Sequence, residues 1–250
     1  MTSPGATPST PASGEPSDDG SGVHAGAGAV LFDIDGTLVD SNFLHVHAWT
    51  QAFADAGHPV DAWRTQRAIG MGSAQLLSEL LGDDADRLED EVKQGHTDRY
   101  AQMTPLLRAF GGARDLVQAV SDRGAVVVLA TSAPPDELER LRAVLDLDDT
   151  LDAITGAEDV EAAKPEPDLV QVALEKAGCP AASSVFVGDS RWDVVAAARA
   201  GVPCVGLLSG GTSAADLTEA GAVAVYDDVA ALLADLDASP LAVTWRGSTA

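Results

Sequence analysis

Acidic side chains follow two separate apolar runs of the sequence. Asp33 and Asp35 stand at the end of the first run, and Asp189 and Asp193 come after the other. Carboxylates gathered at one place repel one another, and their pKa values rise unless a cation joins them. All-oxygen ligation by few residues suits Mg²⁺, which keeps several waters and typically also binds a substrate phosphate. The pattern therefore predicts a magnesium site that accepts a phosphate ester.

One basic residue and two hydroxyls accompany these acids. Lys164 precedes a proline, and Thr131 and Ser132 end a third apolar run. These groups can hold phosphate oxygens while a carboxylate attacks phosphorus, which splits hydrolysis into two easier steps through an aspartyl-phosphate. Asp35, two residues beyond Asp33, can protonate the leaving oxygen and later accept a proton from water.

Short apolar runs alternate with helical patterns along most of the chain. The runs show no polar alternation, which is typical of strands covered on both faces. Such alternation predicts an α/β fold with a doubly wound parallel sheet, a Rossmann-like core. Ligands bind at the carboxyl ends of such strands, where the acids, the lysine and the hydroxyls would converge. The predicted strands are 29–33, 125–130, 184–187, 203–208 and 222–225, and the predicted helices among them are 116–122, 135–145, 167–177, 193–200 and 229–236.

The stretch between the first two strands breaks this alternation. It contains no convincing strand, and helical patterns cover 43–56, 61–69, 73–81 and 86–103. We interpret residues 41–110 as an α-helical cap domain inserted into a core domain of residues 28–40 and 111–238.

Both ends of the chain differ in composition from the rest. Residues 1–27 are rich in Ser, Thr, Pro, Gly and Ala, and we expect a disordered tail because they have little apolar surface to bury. Residues 239–250 are expected to form a loose tail, in which Leu241, Val243 and Trp245 are the side chains able to dock.

The chain is strongly acidic, with 15 Lys and Arg residues against 39 Asp and Glu residues and a formal net charge of −24. Nucleic acids and anionic membranes require a basic face, so neither is expected as a partner. The two cysteines, Cys179 and Cys204, form no disulfide framework, and no apolar run approaches the roughly 18 residues of a membrane span. We expect a cytoplasmic protein that binds a small metabolite, with monomer and dimer both left open.

Four motifs resemble, in order and spacing, those of the haloacid dehalogenase-like hydrolase superfamily. They are Asp33-Ile-Asp-Gly-Thr-Leu-Val-Asp40, Thr131, Lys164-Pro165 and Gly188-Asp-Ser-Arg-Trp-Asp193. The resemblance covers about residues 29–237. It is to the phosphatase branch with a helical cap, which includes phosphoglycolate phosphatases and β-phosphoglucomutases.

The resemblance implies roles for the motif residues. It makes Asp33 the nucleophile and Asp35 the general acid and base. The Mg²⁺ ligands are Asp33, the backbone carbonyl of Asp35, and Asp189. Asp193 supports the metal waters or orients Lys164.

The resemblance also extends to phosphate binding and to the cap. Thr131 and Lys164 would bind the transferring phosphate. His45 stands where the family often has a histidine, which in mutase-like members positions the acid and base; a half-buried hinge histidine is the alternative. Gly70-Met71-Gly72 is similar to a cap loop that contacts substrate, or is a plain turn. Ser73 stands where mutase-like members carry an arginine for a second phosphate.

These residues bear on four possible functions. A magnesium-dependent phosphomonoesterase acting on phosphoglycolate or a sugar phosphate is preferred. A sugar-phosphate mutase is the alternative, and Ser73 argues against it. Haloacid dehalogenation needs no metal and has no use for Asp35. A catalytically idle binding module would usually have lost a motif Asp or Lys, and this chain keeps them all.

Overall fold

A computed structural model describes residues 1–2 and 27–246 of the chain. The strands are β1 (Ala29–Phe32), β2 (Val126–Ala130), β3 (Ala153–Thr155), β4 (Val185–Gly188), β5 (Cys204–Leu207) and β6 (Ala224–Tyr226). They form one six-stranded sheet in the order β3-β2-β1-β4-β5-β6, and every pairing is parallel. The predicted α/β class with a doubly wound parallel sheet is confirmed.

Helices cover both faces of the sheet because its strands are apolar on both sides. In β1, Val30 and Phe32 pack into one apolar cluster, whereas Ala29 and Leu31 pack into the other. The first cluster includes residues of α5, α6 and α10, and the second includes residues of α7, α8 and α9. The bounds are α5 (Ala113–Asp122), α6 (Pro135–Leu145), α7 (Asp168–Ala177), α8 (Arg191–Arg199), α9 (Ala214–Ala220) and α10 (Val229–Ala234).

Helices are the only regular elements in residues 41–110, as the sequence indicates. They are α1 (Asn42–Asp55), α2 (Ala62–Ala68), α3 (Ser73–Leu81) and α4 (Ala85–Met103), with short 3-10 helices at Gly82–Asp84 and Thr104–Leu106. Trp49 and Phe53 of α1 pack with Leu77 of α3 and Val92 of α4 in a third apolar cluster, separate from the two that flank the sheet. This separate cluster supports the proposed cap.

One strand and one helix, β3 and α9, were not predicted from the sequence patterns. Strand β3 has three residues, too few for an apolar run to stand out, and α9 has seven. Strand β3 extends the sheet edge beside β2 by pairing Ala153 with Val128 and Thr155 with Ala130.

The C-terminal segment packs against the sheet, which corrects part of the expected loose tail. Pro240–Thr244 forms a 3-10 helix whose Leu241 is buried in the cluster with β1 and β4. The Thr244 carbonyl accepts a hydrogen bond from the Gly28 amide at 2.8 Å. Trp245 is partly buried against the same cluster, whereas Val243 is exposed. Most of the predicted N-terminal tail lies outside the described residues.

Neither cysteine takes part in a disulfide, since Cys179 and Cys204 are both buried free thiols. Within residues 27–246, no helix is both long enough and apolar enough to cross a membrane.

Candidate active site

Asp33 is the first residue after β1, a central strand of the sheet. Its amide donates to the Val187 carbonyl at 2.9 Å, which continues the β1–β4 ladder and fixes the backbone. Lys164 places its Nζ 2.6 Å from Asp33 Oδ1 and 2.6 Å from Asp193 Oδ1. All three side chains are buried. The structure therefore brings the predicted nucleophile, phosphate-binding lysine and supporting aspartate into one ion-pair network.

Asp189 follows β4, the strand beside β1, and is held by hydrogen bonds from the residues around α1. Thr37 Oγ1 donates to Asp189 Oδ1 at 3.0 Å, and Asn42 Nδ2 donates to Asp189 Oδ2 at 2.8 Å. Asp193 is held by α8, where its Oδ2 accepts from the Ser190 amide at 2.9 Å and hydroxyl at 2.7 Å. This capping box fixes the first turn of α8.

The carboxylates of Asp33, Asp189 and Asp193 form a cluster that fits a divalent cation. Each offers an oxygen, and these oxygens lie within 4.8 Å of one another. Burial and the charges of Asp193 and Asp35 raise the pKa of Asp33 to about 7, against the opposing charge of Lys164. Burial, with Asp193 and Asp33 nearby, raises the pKa of Asp189 as well. Mg²⁺ prefers hard oxygen donors, and a bound cation would relieve the repulsion between these carboxylates.

Within that cluster, Asp193 has its oxygens engaged by Lys164 and Ser190. The direct contact of Asp193 with Lys164 is consistent with the supporting role that the sequence assigns to Asp193. Asp193 and Asp33 also raise the pKa of Lys164, although its burial acts in the opposite direction. Lys164 is therefore a cation beside the predicted nucleophile, Asp33.

Thr131 and Ser132 follow β2 and line the same cavity. Thr131 Oγ1 accepts from the Ala133 amide at 3.1 Å, which leaves its hydroxyl proton available. The buried Ser132 Oγ has no hydrogen-bond partner among the described residues. Buried polar groups are normally satisfied, so an unpartnered hydroxyl at a cavity wall fits a bound phosphate or alcohol.

Asp35 stands on the cap side of the cavity, with its side chain 18% exposed. Its Oδ1 accepts from Ser41 Oγ at 2.6 Å and lies 3.5 Å from His45 Nε2. Burial raises the pKa of Asp35, but the hydrogen bonds and charge of His45 and the Ser41 hydroxyl outweigh it and lower that pKa. In the free protein Asp35 is therefore ionised, with His45 as its counter-ion.

His45 lies between two carboxylates and against a second histidine. Its Nε2 is 3.2 Å from Glu137 Oε1, and its Nδ1 is 3.0 Å from His96 Nε2. Burial opposes its charge, but Glu137 and Asp35 raise the pKa of His45 to about 10. Burial and the His45 charge lower the pKa of His96 to about 2. His96 is therefore neutral and accepts the Nδ1 proton of His45.

A cavity of about 110 Å³ connects the acids to the cap. Gly70 and Met71 line it, as does Ser73, whereas Gly72 touches the core at Ala163. Of the loop predicted to contact substrate, Gly70 and Met71 therefore line the cavity, whereas Gly72 allows the cap to approach the core closely. The other lining residues include Asp33, Asp35, Asn42, His45, Trp49, His96, Thr131, Ser132, Glu137, Lys164 and Asp189.

Glu137, His96 and Asn42 are among the residues of this site that were not predicted from the sequence. In the sequence, Glu137 is indistinguishable from the acidic residues that are common in the first turn of a helix, here α6. His96 had a signal, because it shares a stripe of four-residue spacing with the buried Leu88, Val92 and Tyr100 of α4. Asn42 begins α1 and had no distinguishing pattern.

Residues 27–201 match the haloacid dehalogenase-like hydrolase family. Together with the fold and the four motifs gathered at one sheet edge, this match shows that the chain belongs to that family of hydrolases.

Curated relatives and solved structures give the same result. A phosphoglycolate phosphatase of Pseudomonas savastanoi pv. phaseolicola is 31% identical over 222 residues, 85% of this chain and 82% of the relative. A phosphorylated carbohydrates phosphatase of Thermotoga maritima is 32% identical over 79% of this chain and 93% of its own length. The crystal structure of a hydrolase from Pseudomonas syringae superposes with a TM-score of 0.80 at 34% identity, covering 84% of this chain and 98% of that one. The chain is therefore a phosphatase of this hydrolase family.

Proposed function

We propose that this phosphatase hydrolyses its substrate through an aspartyl-phosphate on Asp33, with Asp35 as general acid and base. The observation that carries the proposal is the pair of distances that places Lys164 Nζ 2.6 Å from Asp33 Oδ1 and 2.6 Å from Asp193 Oδ1 at the edge of the sheet. With Oδ1 of Asp33 held, we assign its other oxygen to attack phosphorus. Lys164, Thr131 and Ser132 bind the phosphoryl oxygens.

Asp35 transfers the proton at the leaving oxygen. It is ionised in the free protein, but an arriving phosphate dianion raises the pKa of a neighbouring carboxylate, so Asp35 takes up a proton as the substrate binds. It donates that proton to the leaving alcohol. In the second step the ionised carboxylate accepts a proton from the water that attacks the phosphoryl group on Asp33. Ser41 and His45 hold Asp35 Oδ1 in place for both steps.

The cofactor we propose is Mg²⁺, held by Asp33, Asp189 and the backbone carbonyl of Asp35. When bound, it neutralises the charge of the carboxylates and of the phosphoryl oxygens. Thr37 and Asn42 orient Asp189, and Asp193 restrains Lys164. Ser73 lines the cavity where a mutase-like arginine would stand, which supports hydrolysis over phosphoryl retention.

We also propose that the enzyme acts in the cytoplasm, without nucleic-acid or membrane partners. The net charge of −24 supports the lack of nucleic-acid and membrane partners, because polyanionic surfaces repel an acidic chain.

Paired substitutions of the two leading aspartates test the mechanism. Asp33→Asn should lower kcat by about 10³-fold or more, at least ~4 kcal/mol of transition-state stabilisation. Asp35→Asn should instead slow dephosphorylation, since Asn cannot activate water. With p-nitrophenyl phosphate, whose leaving group needs no acid, phosphoenzyme should accumulate in Asp35→Asn and appear as one added phosphoryl group by intact-mass measurement.

Chelation supplies the accompanying control. EDTA should abolish hydrolysis and Mg²⁺ should restore it. Near-wild-type turnover of Asp33→Asn, together with no adduct on Asp35→Asn, would show that the two carboxylates have other roles.

A further inference from the structure

Glu137 brings a second carboxylate to the leaving-group side of the cavity, next to Asp35. It lies in the first turn of α6 and is 8% exposed. The helix dipole stabilises a negative charge at this position. No step of the proposed hydrolysis uses Glu137, so its burial against the cavity calls for another role.

The cations at this cavity are already engaged by carboxylates. Lys164 lies 2.6 Å from Asp33 and 2.6 Å from Asp193. Among the described residues that line the cavity, Lys164 is the only lysine and there is no arginine.

His45 is engaged in the same way. Its Nε2 lies between Asp35 at 3.5 Å and Glu137 at 3.2 Å, and its Nδ1 contacts His96 at 3.0 Å. Both ring nitrogens therefore have partners. An anionic group on the leaving alcohol would meet the Glu137 carboxylate, with no free cation among the described lining residues to receive it.

The polar groups of this cavity are suited to hydroxyls. Asn42 lines the cavity, and its Oδ1 has no hydrogen-bond partner within the described part of the chain. A carboxylate such as Glu137 accepts hydrogen bonds only. A hydroxyl on the leaving alcohol can donate to such acceptors, whereas a carboxylate on it cannot.

We propose that Glu137 is a specificity-determining residue. It selects phosphomonoesters whose leaving alcohol is neutral and hydroxylated, as in a polyol or small sugar. It disfavours esters that carry a carboxylate or a second phosphate close to the ester oxygen. Phosphoglycolate belongs to the disfavoured class, because its carboxylate is one methylene away from the ester oxygen. The proposal rests on the proposed phosphatase function and goes beyond it by naming the substrate class.

Two esters of similar size separate charge from shape: 2-hydroxyethyl phosphate and 2-phosphoglycolate. The wild-type kcat/KM should favour 2-hydroxyethyl phosphate by about tenfold or more, because like charges at an enclosed site repel strongly. Glu137→Gln removes the charge and keeps the shape, and it should reduce this ratio by about tenfold, chiefly by raising kcat/KM for 2-phosphoglycolate. Glu139→Gln, an exposed position on the same helix, is the matched control and should leave the ratio unchanged.

The ratio between substrates distinguishes selection from a structural role. A wild-type preference for 2-phosphoglycolate would overturn the proposal, whether or not Glu137→Gln folds. An equal loss on both esters in a folded Glu137→Gln variant would overturn it too, since a merely structural role predicts that result. The wild-type protein should also hydrolyse p-nitrophenyl phosphate. Inactivity on that ester and on both others would contradict the proposed function itself, a result distinct from a reversed ranking.

Discussion

Magnesium binding to this protein should depend strongly on pH, because the proposed ligands hold protons that the metal must displace. Burial, with the charges of Asp193 and Asp35, raises the pKa of Asp33 to about 7 despite Lys164. Burial and acidic neighbours raise the pKa of Asp189 as well. A carboxylate ligates a metal only when ionised. Affinity for Mg²⁺ should therefore increase as the pH rises from 6 to 8.

The size of the effect follows from that pKa. With a pKa of about 7, the ionised fraction of Asp33 falls about tenfold between pH 8 and pH 6, so the Kd for Mg²⁺ should rise about tenfold. If Asp189 must also lose a proton, the dependence of Kd on pH becomes steeper. A tenfold change in Kd is worth about 1.4 kcal/mol, which for a chain of this size corresponds to about 3–6 °C in Tm when Mg²⁺ is well above its Kd.

The sign of the stability change can be checked separately. The folded state holds the Asp33 proton more tightly than the unfolded state does, since its folded pKa is the higher. This contribution to the stability of the metal-free protein is fully present below the unfolded pKa and is lost as the pH rises through about 7. Mg²⁺ should offset the loss, so the rise in Tm on adding Mg²⁺ should be larger at pH 8 than at pH 6.

Calorimetric titration of Mg²⁺ at pH 6, 7 and 8, in two buffers of different ionisation enthalpy, measures both Kd and the protons released. Asp33→Asn should weaken binding and flatten its pH dependence. Asp40→Asn is the matched control, because Asp40 pairs with Arg108 away from the cluster. A wild-type Kd that stays constant from pH 6 to pH 8 would refute the argument from clustered, buried carboxylates.

Two further predictions concern packing. Gly72→Val should lower kcat/KM by a similar factor on every ester, because its new Cβ would overlap Ala163 and hold the cap off the core; a changed substrate ranking measured on a panel of esters would contradict this. Leu241→Ala should lower the free energy of unfolding by about 2–4 kcal/mol in denaturant titrations, because Leu241 is fully buried against the sheet. The exposed Val243→Ala is its control, and equal effects of the two substitutions would contradict the docking of this segment.

The core of the fold was predictable because five of its six strands carry a continuous apolar run, and because parallel strands bring their carboxyl ends to one edge. Asp33, Thr131 and Asp189 were found by that rule alone. Strand β3 could not be found, since its three residues are held by pairing with β2 instead of by their own pattern. Leu241 was recognised as able to dock, but no sequence pattern shows which surface it meets.

Glu137 and His96, which lie near Asp35, could not be predicted from the sequence for a different reason, whereas His45 was recognised there as a candidate. Glu137 belongs to the core helix α6, whereas His45 and His96 belong to cap helices α1 and α4. These residues become neighbours only through the packing of the cap on the core, which local patterns do not encode. A histidine with an apolar spacing and an acid at a helix start are each unremarkable alone.

The division of the site between core and cap links substrate selection to proton transfer. The proposed nucleophile, the lysine and the proposed metal-binding acids all lie at the sheet edge, so phosphate capture would need only the core. The counter-ion of Asp35 comes from the cap, since His45 reaches both Asp35 and the core residue Glu137. Displacing the cap would leave two core carboxylates facing each other without a cation between them, which opposes opening in the free protein. A leaving alcohol that donates a hydrogen bond to Glu137 stabilises the same closed arrangement. An anionic leaving alcohol instead competes with Glu137 for the positive charge of His45.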